Sequence, residues 1–315
     1  MANEFIQVAT IAGVDSDGSA GAQADLHSFF MRGTYGTLIL TAAVAGNSYG
    51  IHAAHIIPDD FIDAQFKAVG EDLQIRACKT GMLANATVME NVAKNLRQYD
   101  FGPLVLDPVI STKHGNLLME QSAFETLKRV LIPMATVITP NFYEAEHITG
   151  QTLDTKEKIV AAAAEIHALG AKNVMLKGRH DSPEQTTVAD YVLLESGKSF
   201  WLTGPYYPTE RKNGTGDTLS AVITAELGKG AAVEDAIRTA KTFVDTAISH
   251  EIQVGHKFGP INTGPTPSSP RNTEQPTGLA NGEACFCASG GRCLPPHESP
   301  GRDCPPLGCW PVGSW

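Results

Sequence analysis

The sequence predicts an α/β fold in which helices cover both faces of a mostly parallel central sheet. Short apolar runs alternate with longer amphipathic stretches as far as about residue 262. Strand and helix in turn indicate βαβ units, which place their strands in parallel. The chain has 315 residues, 42% of them hydrophobic, so it can bury a substantial core.

The individual elements follow from the length and period of each stretch. Short apolar runs bounded by turn residues predict strands over 5–12, 37–43, 75–79, 104–106, 136–139 and 173–177. Amphipathic periodicity predicts helices over 22–31, 59–69, 86–98, 122–131, 156–169, 218–227 and 233–249. Two short runs within 188–202, on either side of 195–198, predict a β-hairpin. Because such sheets bind ligands beyond the carboxyl ends of their strands, we expect the functional site in the loops that follow these strands.

Composition argues against several classes of protein. The formal net charge is -10 with 18% charged residues, so we expect no general attraction for nucleic acid or anionic membranes. The first five residues lack the basic start and apolar run of a signal peptide, and no stretch reaches the roughly 18 apolar residues of a membrane span. Cys78 is the single cysteine before residue 264, which suits a reducing compartment. These features predict a cytoplasmic protein.

The composition changes abruptly at Pro265. The last 51 residues hold 10 Pro and 7 Gly with almost no apolar periodicity, which is typical of a disordered segment. Their cysteine spacing matches no common zinc pattern. We therefore predict one folded domain over 1–262 and a disordered Pro/Gly/Cys-rich tail over 263–315, of a kind that an out-of-frame or cloning-derived extension would produce.

The sharpest local motif is N-G-T-G-D-T at 213–218, which runs directly into an apolar helical stretch. Its glycines let the backbone turn tightly, so that the N–H groups of Gly214, Thr215 and Gly216 can point into one concavity. The helix start adds unsatisfied N–H groups and the positive end of its dipole, which suits a phosphoryl group in transit. Asp217 is placed to accept a proton from an attacking hydroxyl group. Taken alone, the motif leaves open an ordinary glycine-rich turn with an aspartate at the helix start.

With this motif, the sequence resembles the ribokinase superfamily, and within it the vitamin-kinase branch of hydroxymethylpyrimidine (phosphate) kinases and pyridoxal kinases. The likeness extends from residue 11 to about residue 262. It rests on G-T-G-D before a late helix and on ordered segments, namely A-G-V-D-S-D-G-S-A-G-A-Q-A-D-L at 12–26, K-T-G-M-L at 79–83, D-P-V at 107–109, I-T-P-N-F-Y-E-A at 138–145 and L-K-G at 176–178. The resemblance implies a ribokinase-like three-layer α/β/α sandwich that uses ATP and Mg²⁺ to phosphorylate an alcohol.

The resemblance also implies which residues contact the nucleotide and the metal. The residues expected at the nucleotide are Lys177, Asn141, Glu144, Asn213, Thr215 and Gly216, and those at the metal are Asn141, Glu144 and Asp107. Residues three apart on a helix share a face, which suits the N-x-x-E element, and Mg²⁺ keeps most of its waters and needs few protein oxygens. The alternatives are a helix cap at Asn141, a turn residue at Asp107 and a surface lysine at Lys177. A buried ammonium at Lys177 would need an anionic partner.

The substrate is expected beside the first strands. The residues that the resemblance places there are Asp15, Gly46, Asn47, Lys79, Met82 and Lys113. Thiamine-branch enzymes usually carry glutamine at position 46 and cysteine at position 217, whereas this chain has Gly46 and Asp217. Because glycine offers no amide to an aminopyrimidine, we expect pyridoxal, pyridoxine or pyridoxamine as substrate, with hydroxymethylpyrimidine as the alternative and dual activity left open.

Other enzyme classes fit less well. The first loop lacks the G-x-G-x-x-G of dinucleotide-dependent oxidoreductases, and the sequence has no G-x-x-x-x-G-K-[ST] motif. A sugar kinase of the same superfamily and a non-catalytic nucleotide sensor remain as further alternatives, although the glycines and the candidate base argue against a sensor. Relatives are often homodimers, so the resemblance implies a homodimer that binds a small vitamin and neither nucleic acid nor membrane.

Overall fold

One nine-stranded sheet forms the centre of the computed structural model, which describes residues 5–110, 121–179 and 184–264. The strand order is β3-β2-β1-β4-β5-β6-β7-β8-β9. The strands are β1 Gln7–Asp15, β2 Tyr35–Asn47, β3 Gly50–Ile56, β4 Ile75–Thr80, β5 Leu104–Leu106, β6 Val137–Ile138, β7 Asn173–Leu176, β8 Thr187–Leu193 and β9 Ser199–Pro205. In this spatial order, the six neighbouring strands β2, β1, β4, β5, β6 and β7 are parallel. Strand β3 at one edge, and β8 and β9 at the other, pair antiparallel. The predicted mostly parallel sheet is confirmed.

Eight α-helices lie within the described ranges and cover the sheet. They are α1 Gly21–Met31, α2 Asp59–Asp72, α3 Ala86–Gln98, α4 Gln121–Thr126, α5 Phe142–Thr149, α6 Lys156–Ala168, α7 Thr215–Gly228 and α8 Val233–Ser249. Helix α4 continues as a π-helical turn, Leu127–Leu131, and a 3-10 turn, Ile132–Met134. None of the helices in these ranges combines the length and apolar character that crossing a membrane requires.

The core has two halves because successive strand side chains point to opposite faces of the sheet. Ala9 and Cys78 belong to one buried cluster, which packs against α2 to α6, and their neighbours Val8 and Ala77 belong to the other, which packs against α1, α7 and α8. Helix α7 lies between α1 and α8, and every residue from Thr218 to its end is buried. A helix enclosed in this way lacks a solvent-exposed polar face, and α7 buries apolar residues together with a few polar ones, such as Thr218, Ser220 and Thr224.

The main departure from the predicted elements is the hairpin of β2 and β3. Strand β2 is longer than the predicted 37–43, and β3 was not predicted. All seven residues of β3 are exposed, and its sequence G-I-H-A-A-H-I lacks a buried face that would signal a strand. Such a strand is held by its pairing with β2, and no local pattern indicates that pairing.

Candidate active site

Helix α7 begins at Thr215, inside the N-G-T-G-D-T motif and three residues before the predicted start at 218. Gly214 precedes the helix with φ +75°, and a Cβ there would lie 2.5 Å from the carbonyl oxygen of Ser19 and 3.2 Å from the Cβ of Ala24. Only glycine suits both that conformation and that space. No described side chain caps the first turn. Thr215 N donates to Lys212 O at 3.4 Å, whereas the N–H groups of Gly216 and Asp217 have no partner among the described hydrogen bonds and remain available at the helix N-terminus. Half-buried Asp217 is the third residue of this helix.

The end of β7 brings a lysine to the same place. Lys177 Nζ lies 3.7 Å from Asp107 Oδ1, and a Cβ on Gly216 would lie 3.3 Å from Nζ and 3.6 Å from Asp107 Oδ2. Ser220 Oγ, one turn further along α7, is 3.2 Å from Asp107 Oδ2. Desolvation opposes the charge of Lys177, but attraction by Asp107, Glu144, Asp217 and Asp190 raises its pKa above the usual value. Within the described residues Asp107 is thus an anionic partner of Lys177, and the expected contact of Lys177 with the nucleotide stays a prediction.

The backbone of this lysine segment is fixed on both sides. Lys177 N donates to Pro140 O at 2.9 Å, and Gly178 N donates to Asp190 Oδ1 at 2.8 Å. A Cβ on Gly178 would overlap the carbonyl group of Ala189 in β8. Lys241 Nζ of α8 lies 3.2 Å from Asp190 Oδ2, which balances the buried charge.

Asn141 and Glu144 form a capping box at the start of α5. Glu144 N donates to Asn141 Oδ1 at 2.9 Å, Asn141 N donates to Glu144 Oε2 at 2.7 Å, and Ile110 N lies 3.3 Å from Glu144 Oε1. Burial raises the pKa of Glu144 to about 7, with Lys177 opposing and Asp107 adding to the shift. The helix-cap alternative thus describes the contacts that Asn141 and Glu144 make.

Two of the residues expected at the metal, Asp107 and Glu144, also suit a hard cation such as Mg²⁺. No group of three or more His, Cys, Asp or Glu side chains in the described ranges is arranged to hold a metal ion. Asp107 and Glu144 nevertheless place two buried carboxyl groups near the ammonium of Lys177. A Mg²⁺ ion that keeps most of its waters needs only one or two such oxygens, so Asp107 and Glu144 could hold it.

The expected substrate residues lie where β1 and β2 end. A Cβ on Gly46 would lie 3.3 Å from Asp15 Oδ1, a buried atom that has no hydrogen-bond partner among the described residues. Burial raises the pKa of Asp15 to about 6, and Asp17 and Asp217 add to the shift. Met82 lies nearby, because its Cε would be 2.7 Å from a Cβ on Gly13.

Asn47 lies in the β2–β3 turn, and the substrate contacts expected of Asn47 and Lys113 stay predictions. The side chain of Asn47 is exposed and accepts from Tyr49 N at 2.9 Å within the β2–β3 turn, so it shapes the hairpin. Lys113 lies outside the described residues. Asn213 meets the first loop, since its Nδ2 donates to Ser19 Oγ at 3.3 Å.

Lys79 differs most from its expected place. It was expected to line the substrate cleft, but its side chain is fully buried and its Nζ lies 2.6 Å from Oδ1 of Asp25, which is also fully buried. Desolvation opposes the charge of Lys79, yet attraction by Asp25, Asp217 and Asp107 raises its pKa above the usual value. The side chain of Lys79 stays in the core because Asp25 of α1 provides a carboxylate there that pairs with its ammonium.

Sequence reasoning missed several residues that surround this site. Asp25 lies on the buried face of the predicted helix 22–31, where an acidic residue could have signalled a buried partner. Gln23 holds the Asp15 backbone by two bonds, from Asp15 N to Oε1 at 2.9 Å and from Nε2 to Asp15 O at 2.7 Å. The backbone N–H and C=O groups of Asn213 are both hydrogen-bonded to the backbone of residues 259–261. No local sequence pattern predicts that contact.

Comparison with known proteins gives one consistent family. The family model described as phosphomethylpyrimidine kinase matches residues 15–262. A hydroxymethylpyrimidine/phosphomethylpyrimidine kinase of Haemophilus influenzae is 47% identical over 257 residues, which are 81% of this chain and 96% of that protein.

Two solved structures are similar over most of the chain. A Bacillus subtilis pyridoxal kinase in complex with ADP has a TM-score of 0.74 and 35% identity, and the match covers 82% of this chain and 98% of that one. A phosphomethylpyrimidine kinase from Clostridium difficile has a TM-score of 0.67 and 37% identity, and the match covers 77% of this chain and 99% of that one. These likenesses support the ribokinase-like fold that the sequence predicted.

Proposed function

Because the chain belongs to the phosphomethylpyrimidine kinase family, we propose that this kinase transfers the γ-phosphoryl group of ATP to hydroxymethylpyrimidine and to its monophosphate. The observation that carries the proposal is the 47% identity, over nearly the whole of the relative, to an enzyme that bears both activities in its name. The helix start with Asp217, Lys177 and Asp107 beside it supplies the groups that phosphoryl transfer needs.

The sequence-based preference for pyridoxal is not confirmed, since the relatives favour the alternative. Gly46 and Asp217 differ from the usual thiamine-branch residues, but they do not outweigh likeness along the whole domain. Phosphorylation of pyridoxal remains the second candidate, because the B. subtilis structure at 35% identity is a pyridoxal kinase.

With hydroxymethylpyrimidine, the proposed reaction is an in-line attack by its hydroxyl group on the γ-phosphorus of ATP, whereas the monophosphate would attack through an oxygen of its own phosphate group. Asp217 accepts the hydroxyl proton as the new P–O bond forms and the bond to ADP breaks. The free N–H groups at the start of α7, including that of Gly216, stabilise the migrating phosphoryl group, and Lys177 offsets the charge on the phosphates. Magnesium, held through Asp107 and Glu144 with Asn141 beside them, would neutralise phosphate oxygens.

The test is acceptor-dependent ADP release by the purified chain with Mg-ATP. Hydroxymethylpyrimidine and its monophosphate should give the highest kcat/KM, pyridoxal should give a value at least about tenfold lower, and ribose should equal the rate without acceptor. A highest value for pyridoxal would establish the second candidate. Equal rates with every acceptor and with none would contradict the kinase assignment to these substrates.

A further inference from the structure

The ion pair between Asp25 and Lys79 joins three elements inside the core. Lys79 Nζ of β4 lies 2.6 Å from Asp25 Oδ1 of α1, and Thr10 Oγ1 of β1 donates to Asp25 Oδ2 at 2.6 Å. All three residues are 0% exposed. Both carboxylate oxygens are used, so Asp25 fixes the position of α1 relative to two neighbouring strands.

Stability alone does not explain this pair. Two charges lose their hydration on burial, and well-packed apolar residues of similar volume commonly stabilise a protein as well or better. Burial raises the pKa of Asp25 to about 7 even though Lys79 and Thr10 both donate to it. Attraction by Asp25 in turn raises the pKa of Lys79, so the two charges hold each other, but the burial of both gives the pair no clear advantage in stability over apolar packing. A directional role is the better explanation.

The residues beside Asp25 connect α1 with the candidate active site. Gln23 binds the backbone N–H and C=O of Asp15, where the substrate is proposed to bind. Ala24 packs against Gly214, the first residue of the phosphate-binding turn (residues 214–217). Three consecutive residues of α1 thus contact three parts of the structure. Gln23 contacts the substrate loop, which follows β1 at Asp15; Ala24 contacts the phosphate-binding turn; and Asp25 contacts the end of β4.

The first loop adds a second contact at the same place. The carbonyl oxygen of Ser19, two residues before α1, would lie 2.5 Å from a Cβ on Gly214. Ser19 Oγ also accepts from Asn213 Nδ2 at 3.3 Å. A rotation or shift of the first turn of α1 would therefore displace the phosphate-binding turn together with the Asp15 loop.

We propose that Asp25 and Lys79 are positioning residues that hold the first turn of α1 in one orientation, and through Gln23 and Ala24 align the substrate loop with the phosphate-binding turn. The inference rests on the proposed kinase function. The hydrogen bonds to Thr10 and Lys79 are directional, so they fix the rotation of α1 about its own axis more strictly than apolar packing does. The expected consequence of losing them is poorer alignment of the acceptor hydroxyl group with ATP.

The experiment uses a charge-free variant of the full chain, Thr10→Val with Asp25→Leu and Lys79→Met. This variant leaves no unpaired polar side chain in place of the network, so it should fold with an unfolding temperature close to that of the wild type. Its kcat with hydroxymethylpyrimidine should fall at least about tenfold, while binding of AMP-PCP alone should change less than about threefold. The matched control removes an exposed pair at the start of α6, between Asp154, which precedes the helix, and Lys158 in its first turn; the variant is Asp154→Asn with Lys158→Gln, and it should keep wild-type kinetics.

Two further measurements keep the proposal falsifiable. Amide hydrogen exchange at residues 15–25 and 213–218 should become faster in the charge-free variant, and this readout does not depend on knowing the substrate. Asp25→Glu keeps both charges but lengthens the side chain by one methylene, and it should also lower kcat while the protein remains folded. If the wild-type chain phosphorylates none of the acceptors, the proposed function fails, and hydrogen exchange still tests the positioning role.

Wild-type kcat together with unchanged exchange in the charge-free variant would overturn the proposal. Failure of the charge-free variant to fold would also overturn it, because the pair would then be needed for stability. A loss of kcat in the Asp154→Asn, Lys158→Gln control would show that removal of any ion pair has this effect, which would contradict a specific role for Asp25 and Lys79.

Discussion

At the scale of single residues, the carboxyl group of Asp25 makes stability depend on pH. Burial raises its pKa from 3.8 to about 7. A carboxyl group that binds its proton more tightly in the folded state contributes stability below its unfolded pKa, and that contribution is lost as the pH rises through the folded value. Asp15 and Glu144, whose pKa values burial raises to about 6 and about 7, act in the same direction.

We therefore expect the free energy of unfolding to fall as the pH rises from about 4 to about 7. Urea unfolding at constant ionic strength, without nucleotide, measures this change. Groups with a lowered pKa, such as Asp63 beside Lys94, act in the opposite direction but only at lower pH. The Thr10→Val, Asp25→Leu, Lys79→Met variant should show a smaller fall. An equal fall in that variant would mean that Asp25 is not the source.

The same residues show what a single sequence reveals about a site. Asp217, Gly214 and Lys177 could be placed together because a glycine-rich motif and strand ends indicate where ligands bind. Lys79 was misplaced because its surroundings depend on Asp25, which is 54 residues away along the chain. The role of Asn47 in the hairpin turn could not be predicted while β3 itself went unrecognised.

At the scale of elements, a hydrogen bond to β8 sets the direction of the chain that follows β7. Asp190 accepts from Gly178 N, next to the proposed phosphate contact Lys177. Asp190→Asn keeps an oxygen acceptor and should leave the KM for ATP within about twofold of wild type. Asp190→Ala leaves the N–H group of Gly178 unpaired, a loss of about 1–3 kcal/mol, and should raise that KM about tenfold.

Steady-state kinetics at saturating acceptor measure this difference. Asp245→Ala is the matched control, because Asp245 also pairs with Lys241, at 3.1 Å, but none of the described contacts joins it to Gly178. Equal KM values in Asp190→Ala and the wild type would contradict a role for this hydrogen bond in placing Lys177.

Elements with a clear one-sided pattern were predicted well. The helix over 86–98 and the helix over 233–249 have the predicted bounds, because each has a distinct buried face. Helix α7 begins at Thr215 and not at 218, since its first turn consists of motif residues without apolar periodicity. Strand β3 has no buried face, so no period could reveal it.

At the scale of the whole molecule, alternation of strands and helices was enough to predict a mostly parallel sheet covered on both faces. The order of the strands could not be predicted, because it depends on which edge each crossover joins. The family match ends at residue 262, whereas 265–315 lie outside the described residues. The boundary of the kinase domain at 262 and the disorder of the tail therefore stay predictions.

The most direct test of the whole account is the turnover of Asp217→Asn with hydroxymethylpyrimidine and Mg-ATP. Asp235→Asn is the control, since Asp235 is likewise the third residue of a helix but is exposed on α8. Loss of the proton acceptor should lower kcat at least about a hundredfold while AMP-PCP still binds, and the control should keep its rate. Turnover of Asp217→Asn near the wild-type value would contradict the central claim that this carboxylate deprotonates the substrate.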